Sequence, residues 1–259
     1  MFEPGRASFI PYVMAGDPDL ATTRAIAAAL TRAGAAAIEL GIPYGDPLAD
    51  GPTIAAAGQR ALAIGTGVAD VLAVAKRIRD DGGAPVVLFT YVNPILQYGV
   101  DRFVADAAAA GVAGAIVPDL PLEESGDLRA AFAERGLIFP MLVAPSTPCA
   151  RAERLAAAST GFVYVVSRLG VTGAGSEPDL SPVLAQLAML REITAKPLAV
   201  GFGISRASHV AQIAPFADGV IVGSAIVDAY AGTTGEAAAR SVERFVESLQ
   251  LPNAKAGDS

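Results

Sequence analysis

Residues 39–54 read Glu-Leu-Gly-Ile-Pro-Tyr-Gly-Asp-Pro-Leu-Ala-Asp-Gly-Pro-Thr-Ile and follow the apolar run Ala36-Ala37-Ile38. The apolar run is typical of a buried strand, and the three prolines and three glycines after it indicate a connection of defined shape. Three carboxylates, Glu39, Asp46 and Asp50, lie in this one connection. Because α/β enzymes place their chemistry at the carboxyl ends of buried strands, the stretch predicts a strand and a site directly after it.

The rest of the chain repeats the same unit of an apolar run, a turn and an alanine-rich helical pattern. Eight strands are predicted, at residues 8–13, 36–40, 85–89, 114–117, 137–143, 162–166, 198–200 and 219–222. Their continuous apolar character is expected when helices cover both faces of a parallel sheet. Eight such units predict an α/β fold, a (β/α)8 TIM barrel that forms a single domain over residues 1–259, with residues 252–259 as a frayed tail. An open doubly wound sheet is the alternative, but Gly16-Asp17-Pro18 after the first strand is not its glycine fingerprint.

Local signals predict several helix starts. Thr53 and Thr147 are expected to cap helices, because a threonine hydroxyl can accept a hydrogen bond from the first turn. Residues 91–94 are expected to form a loop. Further helices are expected to begin at Leu122 and Ser205.

Composition excludes several classes of function. The net charge of -7 argues against a nucleic-acid groove or an anionic membrane surface, which leaves a small molecule or another protein as the partner. The single cysteine, Cys149, excludes an internal disulfide, and the single histidine, His209, makes a histidine-rich metal site implausible. There is no secretion signal and no run of about 20 apolar residues, which predicts a cytoplasmic protein without a membrane span.

Polar side chains at the ends of the predicted strands should converge in a barrel, so they are the candidates for chemistry. None of the three lysines follows a strand, which leaves a Schiff-base mechanism without a nucleophile and favours acid/base chemistry by Glu39 and Asp50. Glu39 could instead be an ion-paired residue at a strand end, and Asp50 a turn or cap residue. The further candidates are Asp17, Asp46, Tyr91, Asn93, Asp119, Ser146, Ser167, Arg168, Thr172 and Ser224.

Glycine-bearing loops follow the last three predicted strands. They are Gly170-Val171-Thr172-Gly173, Gly201-Phe202-Gly203-Ile204-Ser205 and Gly223-Ser224. Backbone N–H groups in such loops bind phosphate without lysine, and phosphate sites after strands seven and eight recur in barrels. These glycines could also serve tight turns alone, but three such loops on adjacent units favour a phosphate site.

Residues 39–54 closely resemble the signature of the tryptophan synthase alpha chain family. Further matches, in order along the chain, are Pro11-Tyr12-Val13, Pro118-Asp119-Leu120-Pro121, Ser167-Arg168-Leu169-Gly170-Val171-Thr172-Gly173, Gly201-Phe202-Gly203-Ile204-Ser205 and Gly223-Ser224-Ala225-Ile226-Val227. The resemblance implies a lyase that splits indole-3-glycerol phosphate into indole and glyceraldehyde 3-phosphate by a retro-aldol step, for tryptophan biosynthesis. Two alternatives are a stand-alone lyase and a catalytically silent allosteric subunit that binds phosphate ligands.

The resemblance also implies roles for single residues. Glu39 is expected to handle the protons, and Asp50 to accept a hydrogen bond from the indole N–H and stabilise positive charge on the ring. The expected substrate pocket consists of Tyr12, Ile54, Phe89, Ile116, Tyr164, Thr172 and Phe202. The expected phosphate cradle consists of Gly173, Gly203, Gly223 and Ser224.

The family further implies a partner, a beta chain that carries pyridoxal phosphate and receives indole through a tunnel, in an alpha-beta-beta-alpha heterotetramer. The residues expected to meet it are Asp46, Pro47, Asn93 and Pro121. No cofactor and no metal are expected in this chain. The segment before the first strand is short, so the N-terminal helix that often closes the barrel floor in this family is expected to be reduced or absent.

Overall fold

A computed structural model describes residues 1–2, 5–167, 179–201 and 203–251. Parallel strands alternate with helices along this part of the chain and confirm the predicted barrel. The strands are β1 (Ser8–Met14), β2 (Ile38–Gly41), β3 (Val86–Phe89), β4 (Gly114–Ile116), β5 (Leu142–Val143), β6 (Val163–Val166), β7 (Leu198–Gly201) and β8 (Gly219–Val222). The predictions for Arg168, Thr172, Gly173, Phe202 and the tail at residues 252–259 lie outside the described residues.

The helices surround the strands and cover the outside of the sheet. They are α1 (Leu20–Arg32), α2 (Pro52–Ala63), α3 (Val68–Asp80), α4 (Val92–Tyr98), α5 (Val100–Ala110), α6 (Gly126–Glu134), α7 (Cys149–Ala158), α8 (Ser181–Ile193), α9 (Ala207–Ile213), α10 (Ser224–Tyr230) and α11 (Gly235–Ser248). Nearly every strand residue is buried, as the continuous apolar runs predict. Within the described residues, no helix is long and apolar enough to cross a membrane.

The sheet runs in the order β4-β3-β2-β1-β8-β7-β6-β5, and every pair in it is parallel. The outer strand β4 is joined to the segment before β5 by a bridge between Gly114 and Ile138. The N–H of Ala115 donates to the Ile138 carbonyl at 3.1 Å, and the N–H of Ile138 donates to the Ala113 carbonyl at 2.8 Å. A Cβ on Gly114 would lie 2.0 Å from the Ile138 oxygen, so glycine is required where the barrel closes.

The fifth strand is shorter than predicted. Residues 137–143 were expected to pair throughout, but the pairing divides into the bridge at Ile138 and the two residues of β5. Pro140 lies between these parts and has no N–H to donate to a ladder.

Several predicted helix starts are also wrong. Gly51 and Pro148, not Thr53 and Thr147, are the N-cap residues of α2 and α7. The Thr147 hydroxyl instead accepts from the N–H of Ala144 at 3.0 Å, because threonine serves turns as well as caps. The remaining differences are that α4 begins inside the expected loop at Val92, α6 begins at Gly126 rather than Leu122, and α9 begins at Ala207 rather than Ser205.

The amino ends of the strands are covered by the first residues of the chain. The ring of Phe2 lies 5.5 Å from the ring of Phe162, centroid to centroid, and contacts the position where Gly219 would carry a Cβ. The Ser8 hydroxyl donates to the Met1 carbonyl at 2.8 Å. Residues 1–2 and 5–7 form no helix, so an aromatic side chain helps to cover this end of the barrel.

Candidate active site

Glu39 lies on β2, inside the barrel near the carboxyl ends of the strands. Its residue is 1% exposed, and its Oε1 atom has no hydrogen-bond partner in the structure. Burial, and secondly the charge of Asp50, raise the pKa of Glu39 to about 8. Near neutral pH this side chain is therefore mostly a neutral carboxylic acid, which can donate a proton.

Asp50 lies in the connection between β2 and α2, directly before the N-cap residue Gly51. The Tyr91 hydroxyl donates to Asp50 Oδ1 at 2.9 Å and accepts from the N–H of Ala49 at 3.0 Å. Burial raises the pKa of Asp50, and the hydrogen bond from Tyr91 opposes that rise. Tyr91 follows β3 and is buried, so it holds the carboxylate against the barrel wall.

Two buried tyrosines lie near the carboxylates, one on the strand next to β2 and one on the strand across the barrel from β2. Tyr12 on β1 is in register with Glu39, while Tyr164 lies on β6, across the interior. Burial raises the pKa of both hydroxyls, and the charges of Asp50 and Glu39 add to this for each tyrosine. Because β2 and β6 are on opposite sides of the barrel, the charge of Glu39 can affect the pKa of Tyr164 only across the barrel interior.

Each tyrosine lies over a glycine on the neighbouring strand. A Cβ on Gly41 would meet the Tyr12 hydroxyl at 2.2 Å, and one on Gly201 would meet the Tyr164 hydroxyl at 2.3 Å. These glycines are two positions beyond the strand partners of the tyrosines along β2 and β7. The ring tips therefore reach the carboxyl ends of the strands only because both positions lack a side chain.

Apolar side chains complete the wall near the carboxylates. Phe89 at the end of β3 contacts the rings of Tyr12 and Tyr91 edge-on, at centroid distances of 5.9 and 6.3 Å. Ile116 ends β4 and is 1% exposed. The Cδ1 atom of Ile54, in the first turn of α2, is 3.5 Å from where Gly223 would carry a Cβ. All the predicted pocket residues within the described chain therefore lie at the same end of the barrel.

The described part of the predicted phosphate cradle follows the last two strands. Gly203 comes after β7 and has a φ of 83°, a conformation that favours glycine. Gly223 is the N-cap residue of α10, and Ser224 is its first residue. The first N–H groups of a helix have no acceptor within the helix, so this end of the barrel presents donors.

The residues predicted to meet a partner lie at this same end. Asp46, Asn93 and Pro121 are exposed, and Pro47 is half-buried. The Asn93 side-chain amide donates to the Tyr44 hydroxyl at 2.8 Å, which ties α4 to the connection after β2. A cleft of about 520 Å³ lies beside them, lined by Leu48, Ala49, Leu120, Pro121, Leu142 and Arg151 among others.

Other predicted candidates have structural partners. Asp119 accepts from the N–H of Val92 at 2.9 Å, and the Ser167 hydroxyl donates to the Gly201 carbonyl at 3.0 Å. Asp17 pairs with Arg60, a residue of α2 that the sequence did not single out. His209 is buried in α9, where its Nδ1 accepts from the N–H of Ser205 at 3.4 Å. Within the described residues, no cluster of three or more acidic, histidine or cysteine side chains could hold a metal.

Known proteins resemble this chain over nearly its whole length. Residues 1–256 match the family model described as tryptophan synthase alpha chain. The protein of that name from a Picosynechococcus species is 49% identical over 249 residues, which cover 96% of this chain and 94% of the relative. The one from Geobacter sulfurreducens is 44% identical over 245 residues, which cover 95% of this chain and 92% of the relative.

Solved structures show the same fold. A chain of the tryptophan synthase α2β2 complex from Pyrococcus furiosus is 39% identical with a TM-score of 0.90, and the match covers 96% of this chain and 99% of that one. A chain of tryptophan synthase from M. tuberculosis is 38% identical with a TM-score of 0.84, and the match covers 95% of this chain and 94% of that one.

Proposed function

The chain belongs to the tryptophan synthase alpha chain family, and we propose on that premise that Glu39 and Asp50 carry out the lyase reaction, the cleavage of indole-3-glycerol phosphate. The observation that carries this proposal is the state of Glu39. Its carboxyl group is buried beside Asp50 with a pKa of about 8, so it enters the reaction as an acid. A buried carboxyl group with an unsatisfied oxygen is costly for folding, and a role in proton transfer accounts for it.

The proposed reaction begins with proton donation. Glu39 gives its proton to the indole ring carbon that bears the glycerol chain, which places positive charge on the ring nitrogen. Asp50 accepts a hydrogen bond from the ring N–H and stabilises that charge, because a fixed carboxylate inside a barrel interacts strongly with charge that develops beside it.

The second step is the cleavage of the carbon–carbon bond. The Glu39 carboxylate formed in the first step removes the proton of the hydroxyl group next to the ring. The electrons of that O–H bond form the aldehyde, and those of the broken carbon–carbon bond return to the ring and neutralise it. The products are indole and glyceraldehyde 3-phosphate, and Glu39 is protonated again, so the cycle needs no external acid or base.

The walls and the phosphate cradle position the substrate in this proposal. Tyr12, Phe89, Ile116 and Tyr164 enclose the indole ring together with Ile54, and Thr172 and Phe202 are assigned to the same pocket. The phosphate group is assigned to the backbone donors near Gly203, Gly223 and Ser224, and Gly173 is assigned to the same cradle from the resemblance. Backbone N–H groups are donors of fixed direction, which suits a dianion in a chain that places no lysine at the strand ends.

The proposal includes a beta chain as partner, in an alpha-beta-beta-alpha heterotetramer that uses the indole for tryptophan biosynthesis. The support is the similarity to a chain of an α2β2 complex, together with the exposure of Asp46, Asn93 and Pro121 near the site. A cleft lined by Ala49, the residue before Asp50, and by Pro121 lies beside that surface. Pyridoxal phosphate is assigned to the beta chain and none to this chain, and the complex is assigned to the cytoplasm.

The test is an assay for indole from indole-3-glycerol phosphate, with and without a tryptophan synthase beta chain. We expect slow indole formation by the chain alone and a clear acceleration when the beta chain is added. A higher rate of indole formation at saturating substrate when the beta chain is present would support the proposed contact with that chain. An unchanged rate of indole formation on addition of the beta chain would indicate a stand-alone lyase. The absence of indole under both conditions would contradict the proposed reaction.

A further inference from the structure

An ion pair with a buried carboxylate lies just after the carboxyl end of β1, at the same end of the barrel as the proposed site. The Asp17 side chain follows β1 and is 2% exposed, while the Arg60 side chain is 47% exposed. Arg60 donates from Nε and Nη2 to the two carboxylate oxygens of Asp17, at 2.7 and 2.8 Å. A buried carboxylate is costly unless it is paired, so this two-bond contact fixes the position of the guanidinium group.

Other ion pairs in the described residues differ from this one. In Arg24–Asp81, which also has two hydrogen bonds, the side chains are 49% and 42% exposed. In Arg191–Asp218 they are 37% and 33% exposed. Exposed pairs contribute little, because water screens them and the side chains lose freedom on pairing. Among the ion pairs of the described ranges, Asp17–Arg60 is therefore the one whose loss leaves an unpaired charge inside the protein.

Arg60 belongs to α2, the helix that follows Asp50. It lies about 12 Å along the helix from Pro52, at a rise of about 1.5 Å per residue. Tyr91 holds the connection before the helix at Asp50, and Asp17 holds the helix itself near its other end. The segment that carries Asp50 is thus anchored to the barrel at two separate points.

The same anchor reaches the proposed phosphate region. α2 packs against β1 and α10, and its residue Ile54 approaches Gly223. Tyr230, the last residue of α10, is buried; burial and then the charge of Asp17 raise the pKa of its hydroxyl. Three elements that line the proposed site, β1, α2 and α10, therefore meet around one carboxylate.

We propose that Asp17 and Arg60 are positioning residues for the lyase reaction, which hold α2 so that Asp50 and Ile54 meet the indole ring. This inference rests on the proposed function. Neither residue touches the reacting atoms. Their effect is transmitted through the placement of α2, so it should be larger on the chemical step than on substrate binding.

The first experiment compares Arg60→Met with the matched control Arg24→Met in the complex with the beta chain. We expect kcat to fall about tenfold or more in Arg60→Met, with KM changed by less than about threefold, and no change in Arg24→Met. Arg60→Lys keeps the charge and should recover part of kcat, because one ammonium group replaces only part of a two-bond contact. Wild-type kcat in folded Arg60→Met would overturn the inference.

The unpaired Asp17 carboxylate could prevent Arg60→Met from folding. The double variant Asp17→Asn/Arg60→Met therefore removes both charges. We expect it to fold and to lose kcat as Arg60→Met does, because the anchor is absent in both. A double variant with wild-type kcat would show that the loss of kcat in Arg60→Met came only from the unpaired Asp17 charge, and would contradict a positioning role.

Backbone hydrogen exchange separates this inference from the proposed function, since it needs no substrate. We expect faster exchange over residues 43–63 in the double variant, and no change there in Arg24→Met. Unchanged exchange in that segment would contradict the anchor even if the lyase reaction is confirmed. A wild-type chain without lyase activity would contradict the proposed function, while the exchange result would still decide whether the pair holds α2.

Discussion

At the scale of single residues, two carboxyl groups eleven positions apart in sequence are placed in different environments. Burial raises the pKa of the enclosed Glu39 to about 8. Burial also raises the pKa of the partly exposed Asp50, but there the hydrogen bond from Tyr91 opposes the rise and favours the charged form. Two carboxyl groups whose surroundings separate their pKa values can serve as acid and as charge stabiliser. The assignment of roles thus follows from burial and from one hydroxyl group.

Tyr91→Phe tests that hydroxyl group. The ring contacts with Tyr44 and Phe89 should remain, while Asp50 and the N–H of Ala49 each lose a hydrogen-bond partner. We expect kcat/KM for indole formation to fall about tenfold or more, because a hydrogen bond to a charged group contributes about 1.5–3 kcal/mol.

Tyr98→Phe is the matched control, because the Tyr98 hydroxyl also donates to an aspartate, Asp106, at 2.7 Å, but outside the proposed site. It should leave kcat/KM unchanged. Equal activity of Tyr91→Phe and the wild-type chain would show that Asp50 does not need this hydrogen bond.

Some of these residues could be predicted from the sequence, and others could not because their contacts join positions far apart in the chain. Glu39 and Asp50 stand out because Glu39 comes directly after the apolar run 36–38 and Asp50 lies in the proline- and glycine-rich connection that follows. The bond from Tyr91 to Asp50 spans 41 positions, and the pair between Asp17 and Arg60 spans 43, so no local pattern indicates either. Tyr91 was a candidate only through its position after a strand, and Arg60 resembles any arginine on a helix.

At the scale of elements, the barrel closes through very few hydrogen bonds. β4 and β5 are the outer strands of the sheet, and the bridge between Gly114 of β4 and Ile138, four residues before β5, closes the gap between them. The sequence predicted both strands because their apolar runs are clear. The interruption at Pro140 and the wrong helix starts were missed because prolines and hydroxyl side chains fit turns, strand ends and caps alike.

Gly114→Ala tests this closure. Its Cβ would lie 2.0 Å from the Ile138 oxygen and 2.7 Å from the Ile138 carbonyl carbon, and backbone atoms cannot move aside as a flexible side chain can. We expect a loss of roughly 2–4 kcal/mol in the free energy of unfolding, comparable to overpacking or breaking a buried contact. Urea denaturation measures it.

Gly126→Ala is the control for that measurement, since a Cβ there meets nothing within 4 Å. It should change stability little. If Gly114→Ala were as stable as Gly126→Ala, the closure of the barrel would not depend on the close approach of Gly114 to the Ile138 backbone.

At the scale of the whole molecule, the buried acid makes stability depend on pH. The pKa of Glu39 rises from 4.5 to about 8 on folding, so the folded chain holds its proton more tightly than the unfolded chain. The corresponding stability is fully present below pH 4.5 and is lost as the pH rises through 8, with a slope of up to about 1.4 kcal/mol per pH unit.

Glu39→Gln should remove this dependence. We expect its free energy of unfolding, relative to the wild-type chain, to increase steadily from pH 5 to pH 8 in urea denaturation experiments. Glu153→Gln, at an exposed position of α7, should follow the wild-type chain at every pH. A constant difference between Glu39→Gln and wild type across this range would mean that the Glu39 pKa is not raised.

The central claim is that Glu39 moves the protons, and indole formation by Glu39→Gln tests it most directly. Glutamine keeps the size and most contacts but cannot donate or accept the proton, so we expect a loss of several orders of magnitude in kcat. Binding of a non-cleavable indole-alkyl phosphate, measured by calorimetry, should stay close to wild type, and Glu153→Gln should be fully active. Indole formation by Glu39→Gln at the wild-type rate would contradict the account.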